Sequence, residues 1–255
     1  MTSPVREQSL IPAYPLVVFR IAFASIWLTY DVLDLWLHGT EGYFLKNWTP
    51  ALHFELLGVQ LVLILFEIVF LSGYRPQLMA LVLFLARGFE AWLFHLNDFF
   101  YFCVVALIFT QIAPDSDHQD KAPAWPRDVL VWQTAWIYFA SAVLKLNPAF
   151  LSGGDLYVRQ NYLARALDWP YPAFYTRWIS TLHGNAVLAW LGVAAEFALA
   201  AALAGWWFCP GKRTIFRRLA IILGLAVHGM GALALNVFFF GASMVSQVVL
   251  TTWEP

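Results

Sequence analysis

Lys145 lies near the end of an apolar stretch, Val129 to Leu146, long enough to cross a bilayer, and the helix-breaking pair Asn147-Pro148 follows at once. A charged side chain in hydrocarbon costs about 2.5–3.5 kcal/mol on insertion scales, so an amine kept there has a partner or a task. Desolvation among aromatic and aliphatic neighbours disfavours the charged amine and leaves it able to take a proton as a general base. A nearby carboxylate such as Asp98 acts in the opposite sense and holds the lysine charged in an ion pair. From the sequence both outcomes stay open.

Lys145 has company. Arg20, Asp31, Asp34, Glu67, Arg87, Glu90, Asp98, Glu196 and His228 also fall within or at the ends of apolar windows, far more than anchoring requires. Arg20 and Arg87 have Glu67, Glu90 and Glu196 as candidate partners, and buried arginine–carboxylate pairs often hold helix register without doing chemistry. Lys145, the turn His95-Leu96-Asn97-Asp98, Asp31, Asp34 and Asn236 are expected near one membrane face, with Glu196 and His228 deeper. His228 stands among Gly224, Gly229 and Gly231, small neighbours that permit close helix approach. A lone histidine there serves as a buried hydrogen-bonding group or as a catalyst. His95 and Asp98 have no further histidine close by, so no metal site is expected. The chain has no Gly-rich phosphate loop, no nucleophile elbow and no paired-cysteine redox motif.

The elements that must carry these residues are helices. A bilayer-spanning helix needs about 20 apolar residues, and eight windows qualify: roughly 14–36, 55–73, 77–96, 98–113, 128–146, 186–208, 216–236 and 238–253. The links at His95-Leu96-Asn97 and Asn236-Val237 predict helical hairpins between the third and fourth and between the seventh and eighth windows. With eight spans, Arg6, Arg75, Lys121, Arg127, Lys212, Arg213, Arg217 and Arg218 fall on one side and Lys46, Arg159, Arg165 and Arg177 on the other. Positive residues favour the cytoplasm, so both termini are expected inside and Lys145 at the extracytoplasmic end of the fifth span. The connection Asn147 to Asn185 is rich in Trp, Tyr, Pro and Arg, a composition that suits interfacial or re-entrant helices, or an amphipathic loop on the outer helix ends.

The whole composition agrees with that class. Of 255 residues 61% are hydrophobic and 12% charged, and the mean hydropathy is +0.65, too apolar to cover a water-soluble globule. The formal net charge of −1 provides no broad basic surface, so nucleic acid is not an expected partner. The 13 Trp and 10 Tyr suit membrane interfaces. Cys103 and Cys209 are expected as small apolar filler, with neither a disulfide nor a metal site. No removable signal peptide is expected ahead of Pro12 and Pro15. The expectation is an all-α, polytopic membrane protein of about eight spans, one domain over 1–255, with an interfacial or re-entrant region at 147–185.

The run Tyr138-Phe139-Ala140-Ser141-Ala142-Val143-Leu144-Lys145-Leu146-Asn147-Pro148-Ala149-Phe150-Leu151-Ser152-Gly153 resembles the signature of the HTTM family, the membrane domain related to vitamin K-dependent gamma-glutamyl carboxylase. There an aromatic-rich helix ends in a lysine followed by a Trp/Phe-Leu-x-Gly turn. Val17-Val18-Phe19-Arg20 with Asp31 and Asp34, Asn97-Asp98, and His228 through Asn236 to Phe240-Gly241 and Met244 fit the same order, so the resemblance covers nearly the whole chain. It implies Lys145 as the base that deprotonates a reduced quinone of menaquinone or vitamin K type, His228 as a second catalytic residue, and Asn97, Asp98, Glu196, Asn236, Arg20 and Asp31 as pocket or supporting residues. Asp98 departs from the pattern, since the carboxylase has a histidine there, and the carboxylase's large luminal portion has no counterpart before Pro255.

The resemblance thus implies a quinol-dependent, carboxylase-like enzyme working at the extracytoplasmic side, with the bacterial inner membrane as its location. Two further classes stay beside it. One is a non-catalytic subunit that binds lipid, quinone or pigment in a larger membrane complex. The other is a small transporter using the inner arginine–carboxylate groups. Membrane lipids, a peptide substrate and partner membrane subunits are the expected partners.

Overall fold

The computed structural model describes residues 10–41, 50–94, 104–108, 121–166, 176–177, 181–235 and 238–252. The chain is mostly helical and divides into two compact units, Met1–Leu130 and Val131–Pro255.

The first unit opens with a short antiparallel ladder, β1 (Leu10–Pro12) against β2 (Lys121–Pro123), in the register Leu10↔Pro123, Ile11↔Ala122 and Pro12↔Lys121. The expectation of an all-helical chain does not include this pair, because three-residue strands bounded by proline carry no alternation to read. Three helices follow the first strand: α1 (Tyr14–Glu41), α2 (Pro50–Ser72) and α3 (Pro76–Phe94). Phe19, Phe23 and Trp27, one turn apart on α1, are buried as a row of tilted rings with centroids 5.6 and 6.2 Å apart. The α2–α3 turn is tight. Gly73 and Arg75 both have positive φ, and Pro76 starts α3 where its missing N–H is no loss. Residues 104–108, inside the fourth apolar window, are helical.

The second unit is built from α4 (Trp125–Leu144), which begins in the first, and then α5 (Pro148–Leu151), α6 (Gly154–Ala166), α7 (Leu182–Phe208), α8 (Arg213–Leu235) and α9 (Phe238–Thr251). α7 and α8 form a hairpin through a 3₁₀ turn at Pro210–Lys212, and α8 packs in turn on α9. The hairpin is close: a Cβ on Gly205 would lie 2.5 Å from the Phe216 ring.

Helix is present within each of the eight apolar windows. Among the described residues, three stretches are both long and apolar enough to cross a membrane, Tyr14–Leu33, Leu182–Phe208 and Pro210–Gly231, which is compatible with a membrane protein. Gly58–Ser72 and Pro76–Phe89 are apolar but shorter. Much of this apolar surface faces outward: Val59, Leu61, Val62, Leu65 and Ile68 on α2 are all exposed.

Candidate functional site

α4 ends where the sequence breaks it. The Lys145 and Leu146 amides make the last turn, donating to the Ser141 and Val143 carbonyls at 3.1 Å. Asn147 then serves both neighbours. Its Nδ2 donates to the Leu144 carbonyl at 3.0 Å, and its Oδ1 accepts from the Phe150 amide at 2.9 Å as the cap of α5. Pro148 occupies the first position of α5, for which its φ is already suited. The helix break is thus a capped junction that holds Lys145 on the last turn of α4.

The other side of the junction is anchored by Gly153. It has φ +81°, and a Cβ there would lie 2.4 Å from the Ala186 backbone nitrogen and 2.6 Å from the Asn185 carbonyl carbon. The backbone between α5 and α6 therefore lies directly on the first turns of α7, whose start is capped by Thr181 Oγ1 accepting from the Gly184 amide at 3.0 Å. Gly153→Ala is expected to destabilise the protein by about 2–3 kcal/mol, from left-handed backbone strain plus overpacking against backbone that cannot yield. Thermal unfolding in detergent, followed by intrinsic tryptophan fluorescence, checks this as a drop of several degrees in midpoint.

With the junction held, Lys145 Nζ forms a short ion pair with Glu196 Oε1. The lysine side chain is 34% exposed and the glutamate 8%. The Lys145 amine also stands 5.9 Å from the centroid of the Phe150 ring. Glu196 is 14 residues from Leu182 and 12 from Phe208, about 21 and 18 Å along α7. The last turn of α4 thus engages the middle of α7, and the pair occupies intermediate depth along that helix rather than its end. Glu196 Oε2 is buried and has no hydrogen-bond partner among the described residues.

Two turns before Lys145, on the same face of α4, the Tyr138 hydroxyl and His228 Nε2 of α8 share a short hydrogen bond. Both side chains are buried. One turn earlier again, Gln247 Nε2 of α9 donates to Thr134 Oγ1 at 2.6 Å. Thr134, Tyr138 and Lys145 are therefore three rungs on one face, each meeting a different helix. The upper two rungs, Tyr138–His228 and Lys145–Glu196, stand two turns apart on that face.

In the first unit, Arg87 of α3 binds two carboxylates at once. Its Nη2 contacts Asp31 Oδ2 of α1, and lies 2.8 Å from Glu67 Oε1 of α2. All three side chains are 1% exposed. Gln60 Nε2 adds a long 3.5 Å contact to the Asp31 carbonyl. One guanidinium thus joins three helices, the geometry of a register lock.

These contacts sort the candidates read from the sequence. Lys145 and Glu196 come together, and His228 meets Tyr138, two turns before Lys145 on α4. Asp31, expected with the outer group, pairs with Arg87, which also binds Glu67. Arg20 is buried on α1. Asn97, Asp98 and Asn236 lie outside the described residues. Among the described residues no group of three metal-binding side chains occurs. Tyr138 and the Thr134–Gln247 pair are site residues that the sequence reading does not single out. The seven-residue spacing from Tyr138 to Lys145, two helical turns, is the signal that marks the tyrosine. In comparison with known proteins, the chain matches no family model, no curated sequence and no solved structure.

Proposed function

We propose that this chain is an integral membrane protein of HTTM type, eight-spanning with both termini in the cytoplasm of a bacterial inner membrane, and a quinol-dependent, carboxylase-like enzyme with Lys145 as its base. The outward apolar face of α2 and the three long apolar helices support the membrane assignment, because such surface is unfavourable in water. The observation that carries the site is the Lys145–Glu196 pair with one buried carboxylate oxygen that has no partner among the described residues.

The residues fit a flat ligand bearing a hydroxyl. Among the described residues Glu196 Oε2 has no donor, Lys145 is half-buried beside it, and the Phe150 ring centroid stands 5.9 Å from the amine. A reduced quinone would bring a phenolic O–H, whose loss opens its chemistry with oxygen. The chain's own part is to move and hold that proton. In the resting pair Nζ donates to Glu196. Passing that proton to the carboxylate frees the amine to take one from the ligand hydroxyl, so Glu196 serves as the proton store and Lys145 as the group in contact. His228, hydrogen-bonded to Tyr138, supports the site from α8. A peptide substrate would approach from the extracytoplasmic side, with partner subunits supplying its recognition.

The test is oxygen uptake by the purified protein in lipid nanodiscs on addition of a reduced short-chain naphthoquinone. Uptake is expected with the native chain and is expected to disappear in Lys145→Arg. Undiminished uptake in that variant would remove Lys145 as the base. The same ion pair supports a second reading, a non-catalytic lipid- or quinone-binding subunit in which Lys145 and Glu196 clamp α4 to α7. Stable copurification with other membrane subunits, and no oxygen uptake, favours that one.

A further inference from the structure

The turn between α7 and α8 carries charge of one sign. Lys212, Arg213, Arg217 and Arg218 fall within seven residues, and no acidic residue occurs between Glu196 and Glu254. Lys212 and Arg218 are exposed. Arg213 lies over the Trp206 ring at 5.0 Å from its centroid, which ties the basic segment to the aromatic end of α7. That end is an aromatic band, with Trp132 packed edge-on against both Trp207 and Phe208. Aromatic bands of this kind sit at headgroup level in membranes.

The second observation is where Arg218 stands. Ile215, Arg218, Ile222 and Leu225 follow one another at three- and four-residue steps, so they share one face of α8. The three aliphatic members are exposed, like the arginine. On that face Arg218 is followed by Ile222 and Leu225, and a guanidinium above an apolar stripe matches a lipid in shape and charge: phosphate at Arg218, on the side of the α7–α8 turn that carries Lys212, and acyl chain along Ile222 and Leu225.

We propose that the α7–α8 hairpin is a binding site for an anionic phospholipid, held by Lys212 and Arg218 at the headgroup and by the exposed α8 stripe along the acyl chain. This rests on the membrane part of the functional proposal and is independent of its chemistry. Electrostatic attraction near an anionic leaflet is worth about five-fold in affinity per basic residue.

The experiment reconstitutes the full chain in vesicles of equal parts phosphatidylcholine and phosphatidylglycerol, and compares spin-labelled forms of each lipid for the fraction motionally restricted by the protein. Phosphatidylglycerol is expected to be favoured several-fold. Lys212→Gln/Arg218→Gln should erase most of that preference, whereas Lys212→Arg/Arg218→Lys keeps it and serves as the folding control. Equal restriction of both lipids, or a preference unchanged in the glutamine variant, overturns the site while leaving the membrane assignment standing. A chain that fails to enter the vesicles overturns both. Displacement of the preference by a soluble acidic peptide, with none by added phosphatidylglycerol, would assign the surface to a protein partner and overturn the lipid.

Discussion

Arg87→Met is expected to cost about 3–5 kcal/mol and to leave the first unit of the protein unable to hold its fold in mild detergent. The reason is the asymmetry of buried charge. With Arg87 present, Asp31 and Glu67 are both in contact with a guanidinium at 1% exposure. Without it, two carboxylates on neighbouring helices lose that cation with no access to water, and breaking a buried pair from one side is far more costly than replacing it whole. The companion variant makes the cause visible. Asp31→Leu/Glu67→Leu/Arg87→Met removes the charges together and is expected to recover most of the lost stability. Unfolding midpoints in detergent for both variants decide the matter. A triple variant as unstable as the single one would show that Arg87 acts through packing rather than charge.

Lys145→Arg is the second large effect, an expected fall of about 100-fold or more in oxygen uptake, within the range of 10²–10⁴ that a positioned proton-transfer group supplies. Arginine keeps the positive charge opposite Glu196 but is not deprotonated in proteins, so the fold survives and the base is gone. Lys145→Met separates the two roles. It leaves Glu196, 8% exposed, without its counter-ion and is expected to lower stability as well as activity. Glu196→Gln keeps a hydrogen-bond acceptor for Lys145 but cannot store the proton, so activity is expected to fall while the unfolding midpoint moves little. Equal losses of stability in all three variants, with uptake per folded molecule unchanged, would reduce the pair to a clamp between α4 and α7.

Much of the helical architecture is legible in the amino-acid sequence, because a helix closes its own backbone hydrogen bonds and an apolar run long enough to cross a bilayer is read locally. Helix occurs in every apolar window, and the Asn147-Pro148 break lies where cap chemistry puts it. The prominence of Lys145 is equally local: an amine at the end of an apolar helix stands out from its neighbours alone. The short β1–β2 ladder, by contrast, joins residues more than 100 positions apart and leaves no pattern to find.

Which groups meet was decided by the tertiary structure. Helical periodicity says that Thr134, Tyr138 and Lys145 share a face, yet it cannot say what that face meets. That depends on how each helix is rotated and how deep it sits, and many pairings of arginine or lysine with a carboxylate have similar energies in isolation. Asp98, one carboxylate the sequence offers to Lys145, lies outside the described residues, and among the described residues it is Glu196, 51 residues along the chain, that meets the amine. Asp31, expected with the outer polar group, shares Arg87 with Glu67 within the first unit. Only packing, with Gly153 pressed on the start of α7 and the α4 junction capped by Asn147, sets the depth and rotation that turn a lone lysine into one half of a site.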